Sequence, residues 1–315
     1  MPVFSTQFKS DGISISFRYN KKLYKKLPFE IVYANDIDEK AIETYKENFG
    51  SKNVFCRDIC DIEAQDIPEH DILVGGFPCQ SFSTVNPTKD PYDDRANLYK
   101  EMVRVAELHK PKLIVAENVK GFMTLNKGSI FKRVKEEIEN LGYSVYSSLL
   151  NSADYGIPQK RERVIMICVH ESIEKEWEFP KPTTPNRDVP LSIAVPKLRI
   201  EDEKYYFSKR AVEGMKNAKK NMKRGLWQDL SEPCLTITSH LAKVSLNSRD
   251  PVLLVDPDSE LYRRFTPREA ATIQSFPNSF KFVGSEGDAY RQIGNAIPPV
   301  LAWHIFEEVS KFLAD

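Results

Sequence analysis

A short apolar run that ends in two glycines constrains the fold most strongly. Asp71-Ile72-Leu73-Val74 predicts a fully buried strand, and Gly75-Gly76 predicts a sharp turn directly after it. Other apolar runs alternate with helical patterns, at residues 29–34, 54–56, 113–116 and 164–169. Strands that alternate with helices predict an α/β fold with a doubly wound, mostly parallel sheet.

A cysteine follows this strand closely. Cys79 comes directly after Pro78, which fixes one backbone angle of the loop. Open α/β sheets bind their ligands at the carboxyl ends of strands. A lone cysteine is more often a small buried apolar residue, but Cys79 lies in the polar segment Gln80-Ser81-Phe82-Ser83. We therefore expect Cys79 to be a covalent nucleophile.

Length and proline content predict two domains. The chain has 315 residues, which suits one large domain and one smaller domain. Prolines interrupt the strand–helix pattern after residue 173. We predict a catalytic, cofactor-binding domain at 1–173 plus 286–315 and a target-recognition domain at 174–285.

Composition limits the other classes of protein. No apolar run reaches membrane-spanning length and no leader opens the chain, so we expect a cytoplasmic protein without membrane contact. The five cysteines are scattered, which favours reduced thiols, and no metal site is expected.

Acidic residues end three of the predicted strands. Asp36, Asp58 and Glu117 should meet at one edge of a parallel sheet. An acid at a strand end can bind ribose hydroxyls, so these positions predict an adenosine-type cofactor site.

Several segments together resemble one family, the cytosine-5 DNA methyltransferases. The segment Gly75–Ser83 resembles its Pro-Cys-Gln nucleophile loop. Four further segments resemble its later motifs in the same order: Glu117-Asn118-Val119, Gln159-Lys160-Arg161-Glu162-Arg163, Arg268-Glu269-Ala270 and Gly294-Asn295-Ala296-Ile297-Pro298-Pro299. The resemblance implies an S-adenosylmethionine-dependent methyltransferase fold, of the bacterial restriction-modification type.

The resemblance also implies the roles of individual residues. Cys79 would attack carbon 6 of cytosine, and Glu117, in protonated form, would donate to ring nitrogen 3. Arg161 and Arg163 would face one side of a strand and contact the flipped base and its phosphates. The residues expected to bind S-adenosylmethionine are Phe8, Ser10, Gly12, Asp36, Ile37, Asp58, Ile59, Pro78, Asn295 and Ala296.

Double-stranded DNA is the expected partner, although the formal net charge of the chain is +0. Seven basic residues between Lys209 and Arg224 form a cluster that would attract phosphates. The residues expected to bind nucleic acid are Gln80, Ser83, Lys216, Lys219, Lys220, Lys223, Arg224, Thr238 and Lys243. A monomer is expected, and the resemblance implies a restriction endonuclease in the same system.

Two alternatives stay open at this point. The family pattern Phe-x-Gly-x-Gly is replaced here by Phe8-Lys9-Ser10-Asp11-Gly12, in which a serine stands where glycine is usual. The first alternative is therefore a relative that binds DNA but methylates weakly. The second is a transfer-RNA cytosine methyltransferase, which shares these motifs. A dehydrogenase is disfavoured because no Gly-x-Gly-x-x-Gly follows the first strand.

Overall fold

The computed structural model describes residues 3–8, 15–77, 98–219, 227–243 and 250–314, with residues 3–8 and 218–219 described by their backbone alone. Some predicted site residues lie outside these ranges. They are Ser10, Gly12, Pro78, Cys79, Gln80, Ser83, Lys220, Lys223 and Arg224.

Strands and helices alternate through the first half of the described chain. The strands are β1 (Val3–Phe8), β2 (Phe17–Tyr19), β3 (Lys22–Tyr24), β4 (Phe29–Asp36), β5 (Val54–Cys56), β6 (Ile72–Gly76), β7 (Leu113–Val119), β8 (Tyr143–Asn151), β9 (Gln159–Lys160), β10 (Glu162–His170), β11 (Cys234–Leu235), β12 (Leu253–Asp256) and β13 (Leu261–Arg263). The helices are α1 (Glu39–Phe49), α2 (Tyr99–His109), α3 (Ser129–Glu139), α4 (Lys209–Lys219), α5 (Pro267–Ile273), α6 (Glu286–Asn295) and α7 (Pro299–Ala314).

Seven strands form the central sheet, in the order β5-β4-β1-β6-β7-β10-β8. The pairs β4–β5 and β6–β7 are parallel, whereas β10 is antiparallel to both β7 and β8. Five strands (β4, β5, β6, β7 and β8) therefore share one direction. The predicted α/β class with a mostly parallel sheet is confirmed.

The direction of β1 was not foreseen. This strand is antiparallel to both of its neighbours, β4 and β6. Parallel neighbours need a long crossover, usually a helix, whereas the described residues between β1 and β4 form the β2–β3 hairpin. As a result Val3 pairs with Asn35 and Gly75, while Phe8 pairs with Phe29 at the opposite edge.

Helices cover both faces of the sheet because successive side chains of each strand point to opposite sides. On β7, Ile114 and Ala116 pack in a cluster with α2 and α3, whereas Leu113 and Val115 pack in a second cluster with α7. The carboxyl edge of the sheet, between these layers, is where the predicted acids lie.

A third apolar cluster lies in the chain after residue 190. It contains residues of the predicted recognition domain, such as Phe265, together with Tyr290 and Ile293 of α6. Beside it, the fully buried Arg263 forms an ion pair of 2.7 Å with Glu269, whose carboxylate also completes the capping box of α5. The division into domains at 174–285 stays a prediction.

Candidate active site

The carboxyl group of Glu117 lies against the end of a neighbouring strand. Glu117 pairs with Gly76 across the parallel β6–β7 ladder. A Cβ added at Gly76 would lie 3.3 Å from both the backbone oxygen and Oε2 of Glu117, so glycine is what permits this approach. Since Cys79 follows Gly76 by three residues, the carboxyl group is placed where the cysteine segment begins.

The next residue of β7 fixes the entry to that segment. The buried side chain of Asn118 donates through Nδ2 to the carbonyl of Phe77, at 3.0 Å. Its Oδ1 accepts from the amide of Val119 at 2.8 Å. These two bonds hold the chain on the amino side of residue 78 against the end of β7.

Arg163 on β10 forms an ion pair with Glu117, with 2.7 Å between Nε and Oε1. Both side chains are mostly buried, at 12% exposure for Arg163 and 17% for Glu117. Burial raises the pKa of Glu117 above its usual range, and the positive charges of Arg163 and Arg161 oppose that rise. The site therefore contains a carboxyl group with an increased tendency to hold a proton.

Arg161 is used differently from Arg163. Its side chain is 1% exposed and donates to three backbone carbonyls: Ile237 at 3.0 Å, Gly294 at 2.9 Å and Ala296 at 3.0 Å. Its Nε is buried without a partner among the described residues. Both arginines act electrostatically on Glu117, as expected for one side of a strand.

The predicted adenosine site is assembled at the same edge of the sheet. Asp36 ends β4 and pairs with Cys56, and Asp58 follows two residues later as the amino-terminal cap of a 3₁₀ turn. Ile37 is 60% exposed, whereas Ile59 is buried. Two carboxylates and an exposed apolar side chain fit the hydroxyls and the flat base of an adenosine.

Helix α6 brings Asn295 and Ala296 towards this edge. Arg291 forms an ion pair with Asp38, at 3.1 Å between Nε and Oδ2, one helical turn before Asn295. Asn295 is exposed and ends α6, and Ala296 is its carboxyl-terminal cap. Phe8 is not brought to this group, because it lies at the opposite edge of the sheet.

The residues predicted to contact DNA have varied surroundings. Thr238 is half-buried and donates through Oγ1 to Asp250 at 2.6 Å. Lys243 is exposed at the end of a 3₁₀ turn, Lys216 pairs with Glu260, and Lys219 is the last residue of α4.

Two buried glutamines escaped the sequence analysis. Gln159 and Gln274 are both 0% exposed and bond to each other, at 2.5 Å between Nε2 of Gln159 and Oε1 of Gln274. The signal for Gln159 was its place in the Gln-x-Arg-x-Arg motif, where only the arginines were considered. For Gln274, the signal was an amide at the end of the otherwise apolar helix pattern that begins at Pro267.

Membrane and metal sites were also sought in the part of the chain that the structure describes. None of its helices combines the length and the apolar character that a membrane span requires. The same residues contain no group of three or more histidine, cysteine or acidic side chains that could hold a metal ion.

Comparison with known proteins identifies the class of this site. The family model for C-5 cytosine-specific DNA methylase matches residues 9–311. The chain therefore belongs to the C-5 cytosine-specific DNA methylases, and it is an enzyme, a DNA (cytosine-5-)-methyltransferase.

Individual relatives agree with this assignment. The type II methyltransferase M1.ScrFI of Lactococcus lactis subsp. cremoris is 34% identical over 91% of this chain and 72% of its own length. The type II methyltransferase M.HhaI of Haemophilus parahaemolyticus is 32% identical over 85% of this chain and 84% of its own length. In structure, the Dnmt2 methyltransferase of S. pombe has a TM-score of 0.71 at 21% identity, covering 90% of this chain and 91% of its own, which indicates a shared fold.

Proposed function

We propose that this methyltransferase transfers a methyl group from S-adenosylmethionine to carbon 5 of a cytosine flipped out of duplex DNA, through a covalent adduct with Cys79. The observation that carries the proposal is the position of Glu117. Its buried carboxyl group lies against Gly76, is paired with Arg163 and has a raised pKa at the start of the cysteine segment.

The chain's own groups supply the activation of the base. The Sγ thiolate of Cys79 forms a bond to carbon 6, and the electron pair of the carbon 5–carbon 6 double bond moves into the ring as nitrogen 3 takes a proton from Glu117. Bound S-adenosylmethionine supplies an electrophilic methyl group, which carbon 5 takes up. Loss of the carbon 5 proton to a base and departure of Sγ then restore the double bond and free Cys79.

Arg163 sets the direction of the proton on Glu117. Its Nε lies at Oε1, which leaves Oε2 to carry the proton towards the base. Burial favours the neutral carboxyl group, whereas the two arginines favour the carboxylate. A group balanced in this way can both gain and release a proton during the reaction.

The cofactor would be held at the carboxyl edge of the sheet. We assign the ribose hydroxyls to Asp36 and Asp58 and the base to the exposed side chain of Ile37, with Ile59 buried beneath. Asn295 and Ala296 would close the site from α6. The position of Phe8 gives no support to its predicted cofactor contact. Ser10, Gly12 and Pro78 keep their predicted role as part of this proposal.

Duplex DNA is the proposed substrate because carbon 6 is accessible only after the base leaves the stack. We assign phosphate contacts to the basic residues of α4 and the segment that follows it, and target contacts to Gln80, Ser83, Thr238 and Lys243. We further propose a cytoplasmic monomer that works alongside a restriction endonuclease.

A second candidate is a relative with impaired cofactor binding, and the reversed β1 supports it. In a sheet where β1 ran parallel to β4, the loop after it would meet the cofactor edge, whereas Phe8 here ends at the other edge. Calorimetric titration with S-adenosylmethionine separates the two. Micromolar affinity supports the active enzyme, and absence of binding supports the impaired relative.

The central test uses DNA from a host without cytosine methylation and S-adenosylmethionine with a labelled methyl group. We expect label to enter the DNA, and bisulfite sequencing to place it at carbon 5 of cytosines in one recurring sequence. A parallel incubation with transfer RNA addresses the other substrate class. Label in transfer RNA alone, or in neither nucleic acid, would overturn the proposal.

A further inference from the structure

Three polar side chains are buried together beside the third apolar cluster. Gln159 and Gln274 are 0% exposed and Arg161 is 1% exposed, next to Ile237, Ile273 and Ile293, which are fully buried. We call Gln159, Arg161 and Gln274 the polar junction. So many hydrogen-bonding groups in a dry interior require specific partners, because unsatisfied ones destabilise the fold.

One side of the junction holds the segment that leads to Thr238. Oε1 of Gln159 accepts from the amide of Ile237 at 2.8 Å, and a guanidinium nitrogen of Arg161 donates to the carbonyl of the same residue at 3.0 Å. Both backbone polar groups of Ile237 are therefore bound by the junction. The position of the proposed DNA contact at Thr238 depends on them directly.

The other side holds the residues that flank Asn295. Nε2 of Gln274 donates to the carbonyls of Ile293 at 3.0 Å and Ala296 at 2.8 Å, and Arg161 donates to those of Gly294 and Ala296. The Gln159–Gln274 bond joins the two sides of the junction.

The two segments also touch each other closely. A Cβ at Gly294 would collide with the backbone of Thr238 and Ser239, so the segments pack with no space for a side chain between them. Since protein interiors are close-packed and each junction bond is costly to leave unmade, one segment cannot shift without the other.

From this geometry we infer that Gln274 and its partner Gln159 are positioning residues that couple DNA binding to cofactor binding. The inference rests on the proposed function, because it assigns Thr238 to DNA and Asn295 to the cofactor. Coupling of this kind is reciprocal, so the cofactor should strengthen DNA binding by the same factor by which DNA strengthens cofactor binding.

The test measures that factor in the full chain. The probes are S-adenosylhomocysteine, which cannot donate a methyl group, and sheared DNA from a host without cytosine methylation. The dissociation constant for DNA is measured by fluorescence anisotropy with and without S-adenosylhomocysteine. For the wild type we expect a ratio of about fivefold or more.

Two variants cut the junction from its two sides. Gln274→Met and Gln159→Met keep the side-chain length but remove the amide, and each should lower the coupling ratio by about threefold or more while changing DNA affinity in the absence of cofactor less than about twofold. Tyr143→Phe is the matched control. It removes a buried hydrogen bond of 2.8 Å to the carbonyl of Pro111, at the amino end of β8, and should leave the ratio unchanged.

The outcomes separate this inference from the proposed function. A lowered ratio in either glutamine variant that folds, with an unchanged ratio in Tyr143→Phe, supports the positioning role. An unchanged ratio in the glutamine variants, an equal loss in all three, or a wild-type ratio of one overturns it. Labelled methyl transfer by the wild type is measured in parallel, and its absence would instead overturn the proposed function on which the inference rests.

Discussion

Two glutamate–arginine pairs lie in different regions of the molecule, and their surroundings differ. Glu117 and Arg163 at the sheet edge keep 17% and 12% of their side chains exposed and meet at 2.7 Å between Oε1 and Nε. Glu269 and Arg263 in the third cluster meet twice, each time at 2.7 Å, and Arg263 is fully buried.

The remaining bonds of the second pair explain its role. Arg263 also donates to the carbonyls of Lys197, Leu198 and Arg264, and Glu269 also accepts from the amide of Thr266. Every oxygen of that carboxylate has a partner. A fully bonded pair stabilises one arrangement of the chain, whereas a pair that leaves an oxygen for another partner, as Glu117 does, can take part in chemistry.

The largest effect is expected at the residue that Glu117 serves. Cys79→Ser should reduce methyl transfer below detection, because a hydroxyl supplies almost no anion near neutral pH. Folding and DNA binding should persist. Label incorporation, thermal unfolding and DNA affinity test these expectations. Transfer at the wild-type rate would remove the covalent mechanism and with it the chemical meaning of the contrast between the two pairs.

The next effect tests the active-site pair itself. Glu117→Gln cannot deliver a carboxyl proton to ring nitrogen 3, so we expect kcat to fall by about 10²–10⁴-fold. Single-turnover methyl transfer measures the loss. Glu162→Gln is the control, because Glu162 is on the neighbouring strand and pairs with the exposed Lys120. If Glu117→Gln keeps the wild-type kcat, the carboxyl group is not the proton donor.

The buried pair should respond in stability and not in chemistry. Glu269→Gln leaves Arg263 buried without a counter-charge, and we expect a loss of about 3–5 kcal/mol in the free energy of unfolding. Urea denaturation measures it, while kcat per folded molecule should stay unchanged. Glu260→Gln, which breaks the exposed pair with Lys216, should cost less than about 1 kcal/mol. Equal losses in both variants would contradict the contrast.

The smallest effect is a pH dependence. Burial raises the folded-state pKa of Glu117 above its unfolded value of about 4.3, so the folded chain binds this proton more tightly. Its stabilising contribution is complete below the unfolded pKa and is lost as pH rises through the folded pKa. The same deprotonation should lower kcat/KM on the alkaline side. Both slopes should be absent in Glu117→Gln, and an identical profile would place the titration elsewhere.

Local elements were the part of this molecule that the sequence could predict. Helix α1 spans Glu39–Phe49 as expected, because Asp38 accepts from the first amides and Gly50 ends the helix at a positive φ of 87°. Alternating side chains also placed Arg161 and Arg163 near Glu117. These features depend on residues close together in the chain.

Features that depend on distant partners could not be predicted. Apolar alternation marks a strand but not its direction, so the reversal of β1 was invisible until β4 and β6 were known as its neighbours. The spacing of Arg161 said nothing about its carbonyl partners at Ile237, Gly294 and Ala296, which lie 76 to 135 positions away. The recognition stretch that begins at Glu232 likewise includes only a two-residue strand, Cys234–Leu235, parallel to β9.

The reversed β1 has a practical consequence for handling the protein. Because Val3 lies beside Asn35 and Gly75, a purification tag fused ahead of it leaves the sheet at the edge that carries Asp36 and Glu117. A tag attached after α7 starts from a helix that packs against a face of the sheet. Amino-terminal tags should therefore be cleaved before kinetic work, and carboxyl-terminal tags are the safer choice.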